Sequence, residues 1–151
     1  MQLSARIKDK VAKSLIENFV PRFVPCSVLV YADDECGKEN YFDEALLKNL
    51  GVTIDSHGKM PDLVLYYPAR DWLLLVESTT SNGPIDEERL EELARIFSKA
   101  KPGLVYVTAF QSRSDMSDYP DLVAWGTHAW LADEPDHMIH FNGSRFLGPY
   151  S

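Results

Sequence analysis

An α/β fold is predicted by three features that follow one another along the chain. Two strand-like runs, Asp62 to Tyr67 and Trp72 to Thr79, flank Pro68-Ala69-Arg70-Asp71, the spacing of a hairpin closed by a four-residue turn. A helix pattern comes next, and after it Leu104 to Phe110 is a β-branched, aromatic strand. A strand, helix, strand crossover of this length favours parallel pairing of the two strands it joins.

The remaining elements fall into place around that centre. Leu3, Ile7, Val11 and Leu15 form one helical stripe with charges between them, and Pro21 is expected to close the segment. Residues 1–24 are thus a basic amphipathic helix, with Arg6, Lys8, Lys10, Lys13 and Arg22 against Asp9 and Glu17, and its stripe can dock on the domain or on a partner. Residues 25–151 form the globular domain. Cys26 to Tyr31 reads as a strand, Asp33 to Gly37 as a loop, and Phe42 to Leu50 as a helix stopped by Gly51. After the hairpin, Asn82-Gly83-Pro84 announces a helix with Asp86, Glu87 and Glu88 in its first turn and Lys99 and Lys101 at its end. Leu90, Leu93, Ala94 and Phe97 are its core face. Trp125 to Leu131 and His137 to Phe141 are two further short strands, the latter ending at Asn142-Gly143.

Composition bounds the function. With 45% hydrophobic and 25% charged residues over 151 positions, the chain has enough apolar side chains for a full core. No apolar run approaches the roughly 18 residues of a membrane helix, and no secretory pattern follows Met1, so a cytoplasmic protein with no membrane partner is expected. Cys26 and Cys36 have neither the number nor the spacing of a disulfide framework or a zinc knuckle. A net charge of −8 argues against strong generic affinity for nucleic acid, and the basic arm around Arg6, Lys8, Lys10 and Lys13 is the candidate for backbone contact.

Chemistry concentrates at the hairpin. Antiparallel partners have residue numbers that sum to a constant, and a turn centred between Ala69 and Arg70 sets Asp62 opposite Glu77. In that register the two carboxylates lie on one face with Cβ atoms roughly 5 Å apart. Thr79, Val64, Tyr66, Leu73 and Leu75 share the face. Such a pair either shares a proton or is held ionised by a cation between the two groups. A hard ion such as Mg²⁺ needs only one or two carboxylates, with water and phosphate supplying the rest. A register slip would instead leave Glu77 an ordinary strand-end acid.

Four segments together resemble the C-terminal half of type II restriction endonucleases of the BsuBI/PstI family. They are Met60-Pro61-Asp62, the run Glu77-Ser78-Thr79-Thr80-Ser81-Asn82-Gly83-Pro84-Ile85, Tyr106-Val107-Thr108-Ala109-Phe110, and Glu134-Pro135-Asp136-His137-Met138-Ile139-His140-Phe141-Asn142-Gly143. The resemblance extends from about Cys26 to the C-terminus, and family members are about twice as long. It implies a PD-(D/E)xK restriction-endonuclease-like fold, a central mixed sheet flanked by helices, for the catalytic domain at 25–151. It further implies Mg²⁺-dependent hydrolysis of double-stranded DNA at a short palindromic site by a homodimer. Carried over by residue, Pro61-Asp62 supplies the first acid and Glu77 the second, both as catalytic metal ligands. Thr79 stands where the motif has its lysine. Lys59 is the nearest substitute as third catalytic residue, with Lys99 and Lys101 as other options; each is also readable as a solvated surface lysine.

Glu44 falls away from the apolar face of its helix, which favours solvent over a supporting role. His137 and His140 with Asp133, Glu134 and Asp136 resemble a zinc cluster, yet strand alternation sets the two histidines on opposite faces. No G-x-S-x-G elbow accompanies Ser78 or Ser81 to make a hydrolase triad. The loop Thr80-Ser81-Asn82-Gly83 opens a helix whose N–H groups favour a phosphate, although the acids at 86–88 serve the same dipole. The alternative function, which accounts jointly for the missing lysine and the negative charge, is a catalytically degenerate nuclease fold used for DNA or protein binding or for dimerisation.

Overall fold

The computed structural model describes residues 10–33, 41–54, 59–79, 83–119 and 121–143. Its strands are β1 (Val28–Ala32), β2 (Tyr41–Phe42), β3 (Leu63–Tyr67), β4 (Trp72–Ser78), β5 (Gly103–Phe110), β6 (Thr127–Leu131) and β7 (Met138–Phe141). They form one seven-stranded sheet in the order β2-β1-β3-β4-β5-β6-β7. β4 and β6 run parallel to β5, and the other pairs are antiparallel, so the sheet is mixed as expected.

The hairpin centres the sheet. Tyr67 pairs with Trp72 across the four-residue turn, and Leu63 pairs with Val76, which is the expected register. Asp71 adopts the left-handed conformation (φ 57°) that the turn requires, and its carboxylate accepts the Tyr66 hydroxyl at 2.8 Å. Alternation then sorts the side chains. Leu63, Leu65, Leu74 and Val76 face one layer, whereas Val64, Tyr66, Leu73 and Leu75 face the other.

The first layer is the N-terminal helical segment: α1 (Lys10–Ser14), a π-helical turn (Leu15–Phe19) and α2 (Val20–Phe23). Val11, Ala12, Leu15, Ile16 and Phe19 are buried against the sheet, which places the stripe on this domain's own core. Leu3, Ile7, Arg6 and Lys8 lie outside the described residues. Pro21 does not end the helix, contrary to expectation. The wide turn just before it bonds Val20 N–H to Leu15 O, and this π geometry relieves the clash between a proline ring and the preceding turn.

The second layer is α3 (Glu44–Asn49) and α4 (Glu87–Ile96). Leu47, Leu93 and Phe97 are buried on the sheet, with Leu90 packed beside them. Asp43 caps α3 by accepting from Leu46 N–H, and Asp86 caps α4 by accepting from Arg89 N–H at 2.7 Å. The polar stretch after β5 contains a short helix, α5 (Arg113–Met116). No described helix is long and apolar enough to cross a membrane.

Candidate active site

Asp62 stands one residue before β3, and Glu77 lies one residue from the end of β4, so the hairpin register brings them to the same end of the sheet. Both are buried, at 6% and 2% relative exposure. Glu77 Oε1 accepts the Asp62 backbone N–H at 2.9 Å, and Asp62 Oδ2 accepts the Ser78 backbone N–H at 2.7 Å. Each carboxylate is therefore held by the backbone of the strand carrying the other. Hydrogen bonds from N–H donors stabilise ionised carboxylates and offset part of the cost of burying them.

A residue that the sequence reading missed completes the arrangement. Arg89, in the first turn of α4, donates from Nε to Glu77 Oε2 at 2.8 Å, with side-chain exposures of 12% and 3%. Its Nη1 reaches Lys59 O at 3.1 Å and also pairs with Glu92, and its Nη2 reaches Met60 O at 3.2 Å. Burial works against the guanidinium's charge, but the hydrogen bonds and charges of Glu77 and Glu92 outweigh it and hold its pKa above the ordinary value. The available signal was helical phase, since Arg89 lies four residues before Leu93 and hence on the buried stripe.

The position of Arg89 is itself set by the sheet. Thr108 pairs with Glu77 across β4 and β5, is fully buried, and accepts Ile85 N–H at 3.0 Å through Oγ1. That bond seats the segment leading into α4, and the Asp86 cap fixes the first turn. Tyr31 approaches from β1 on the same face. Its hydroxyl is pushed up to about 12, first by burial and then by Asp33 and the charge of Asp62.

The other sequence candidates sort by position. Thr79, at the motif's lysine position, donates both its N–H and its hydroxyl to Ala109 O, at 3.1 and 3.3 Å. Lys59 is exposed, and its carbonyl is one of the Arg89 acceptors. Lys99 and Lys101 follow α4 at the far end of the sheet, where Gly103 pairs with Trp72. Trp72 and Glu77 are five residue steps apart along β4, roughly 16 Å, which removes these two lysines from the site. Glu44 is exposed and pairs with Lys48 at 3.5 Å. Thr80, Ser81 and Asn82 lie outside the described residues, as does Cys36.

The acidic and histidine segment near the end of the chain is braced by arginines. Asp136 takes Arg22 Nε at 2.6 Å and Glu134 takes Arg113 Nε at 3.2 Å, so those carboxylates anchor the β6–β7 turn to α2 and α5. His140 meets His128, its cross-strand neighbour, with Nδ1 atoms 2.7 Å apart. Among the described residues no three His, Cys, Asp or Glu side chains gather where they could hold a metal by themselves. The two carboxylates of Asp62 and Glu77 are by their chemistry a donor set for a hard cation that completes its shell with water or phosphate oxygen.

Comparison with known proteins gives the family and the fold. The family model of the BsuBI/PstI restriction endonuclease domain matches residues 1–144. The type II restriction enzyme BsuBI of Bacillus subtilis is 57% identical over 142 residues, covering 94% of this chain and 45% of its own length. AplI of Arthrospira platensis, also a type II restriction enzyme, is 34% identical over 142 residues, covering 89% of this chain and 44% of its own. The structure of SdaI restriction endonuclease superposes with a TM-score of 0.85 at 47% identity, covering 92% of this chain and 44% of that one. The fold is restriction-endonuclease-like, and the chain spans less than half the length of the relatives it matches.

Proposed function

The chain belongs to the BsuBI/PstI restriction endonuclease family, and from that premise we propose that it hydrolyses phosphodiester bonds of double-stranded DNA, with Asp62 and Glu77 as the ligands of a catalytic Mg²⁺. The observation that carries this reading is the buried contact between the two acids, each aimed by the other's strand. When bound, the cation supplies the Lewis acidity that phosphate hydrolysis requires. The chain's own part is to present two oxygen donors in a fixed geometry, which a tight hairpin does without relying on loop order. Lys59 is our candidate for the ammonium that the motif lacks after Glu77.

A palindromic target calls for two copies of the chain, because a two-fold axis in the protein matches the one in the site. With a net charge of −8, binding to duplex DNA is weak at physiological salt and falls steeply as salt rises. The cytoplasm is where such a substrate is met. The reading of a degenerate binding module gains no support from relatives that are themselves named restriction enzymes.

Supercoiled plasmid is the test substrate. Nicked or linear product should form with Mg²⁺ or Mn²⁺, vanish in chelator, and vanish in Asp62→Ala. Undiminished product from purified, folded Asp62→Ala would remove the assignment.

A further inference from the structure

We infer that Arg89 is a positioning residue of this site: its guanidinium fixes Glu77 against the segment that presents Asp62, and its charge limits how tightly the pair takes a cation. The inference rests on the metal-dependent reading above and deepens it.

The geometry is specific to a planar fork. Three nitrogens of one guanidinium reach four acceptors on three stretches of chain: Glu77 on β4, Glu92 on α4, and the carbonyls of Lys59 and Met60. Met60 is two residues before Asp62, so the same group that orients the second acid also ties down the approach to the first. Glu77 Oε1 is already occupied by Asp62 N–H, which leaves Oε2 to Arg89. Lysine could not reproduce this, because an ammonium is a point donor on a flexible stem.

Charge and geometry then act in opposite directions. A guanidinium in contact with a metal ligand repels an incoming divalent ion, so its removal strengthens metal binding. The same removal frees Glu77 to adopt other rotamers and loosens the 59–61 segment, so hydrolysis falls. A brace that served folding alone would lose both together.

The experiment titrates Mn²⁺ into the DNA-free protein by calorimetry and measures plasmid cleavage at saturating Mn²⁺, for wild type, Arg89→Gln and Arg89→Lys. Arg89→Gln should bind Mn²⁺ about 10-fold more tightly and cleave about 100-fold more slowly. Arg89→Lys, which keeps the charge without the fork, should bind Mn²⁺ within about 3-fold of wild type yet cleave at least about 10-fold more slowly. Wild-type cleavage in both variants, or equal or weaker Mn²⁺ binding by folded Arg89→Gln, would overturn the inference. If Arg89→Gln does not fold, Arg89→Lys decides through its cleavage rate alone. Where wild-type cleavage is too slow to measure, equal or weaker Mn²⁺ binding by Arg89→Gln overturns it. Failure of the underlying site looks different: Asp62→Ala and Glu77→Ala would then retain Mn²⁺ binding and cleavage, and the role of Arg89 falls with them.

Discussion

Asp62 and Glu77 are joined by a reciprocal pair of bonds, the Asp62 N–H to Glu77 Oε1 at 2.9 Å and the Ser78 N–H, adjacent to Glu77, to Asp62 Oδ2 at 2.7 Å. Two carboxylates that would repel each other in water are thereby locked side by side at the mouth of an apolar layer. The backbone donors cannot rotate away, so the separation of the acids is a property of strand pairing rather than of side-chain choice. Any change at one acid is therefore felt at the other.

Glu77→Ala should cost stability as well as chemistry. Removing the carboxylate strips Arg89 of its buried partner, and breaking such a pair costs about 3 kcal/mol where the remaining charge stays buried. Glu92 and the two carbonyls keep the guanidinium partly satisfied, so Glu77→Gln should lose clearly less. Urea denaturation of both variants checks this, and equal stability of Glu77→Ala and wild type would show that the pair contributes nothing to the fold.

Divalent metal should raise the melting temperature of the wild type and leave Glu77→Ala unchanged. An ion bound only by the native state stabilises it by mass action, about 2.7 kcal/mol when its concentration is 100 times the dissociation constant. Scanning calorimetry at rising Mg²⁺ and Mn²⁺ concentrations measures it. An identical shift in both proteins would place the ion elsewhere.

Acid should weaken the fold partly through His128. Its pKa is lowered below 6.5 by burial and then by the charge of His140, whose Nδ1 lies 2.7 Å from its own. The unfolded chain accordingly takes up a proton that the native state refuses, and stability falls as pH drops below about 6.5, until the native pKa is reached. His128→Phe should have a flatter melting profile between pH 7 and pH 5. Parallel profiles for variant and wild type would refute the linkage.

Phe19→Ala should destabilise the protein by about 3–5 kcal/mol, the usual cost of emptying a buried aromatic site. Phe19 is 2% exposed and packs edge-on to Trp130 with ring centroids 5.8 Å apart. The loss would show that the N-terminal helical segment is a layer of the core. A change below about 1 kcal/mol would mean that the segment is only loosely held.

The acid pair was legible in the sequence because its geometry is local. Four residues between two apolar runs leave one register that keeps Val64, Tyr66, Leu73 and Leu75 on a common face, and in that register Asp62 meets Glu77. The parallel crossover to β5 was legible for a similar reason, since chain length and handedness leave few alternatives. Sequence alone did not reveal Arg89, Thr108, Tyr31 or the His128–His140 contact. Arg89 and Glu77 are twelve residues apart on different elements, and their meeting depends on how Ile85 and Asp86 seat the first turn of α4 on the sheet. Nor did it show that Pro21 would sit within a helix or that Glu134 and Asp136 would be taken by arginines, because each depends on the packing of remote elements. Periodicity and turn length constrain what the backbone can do over a few residues. Only the closing of helices onto both faces of the sheet decides which charges must be buried together, and so which cation faces the acids.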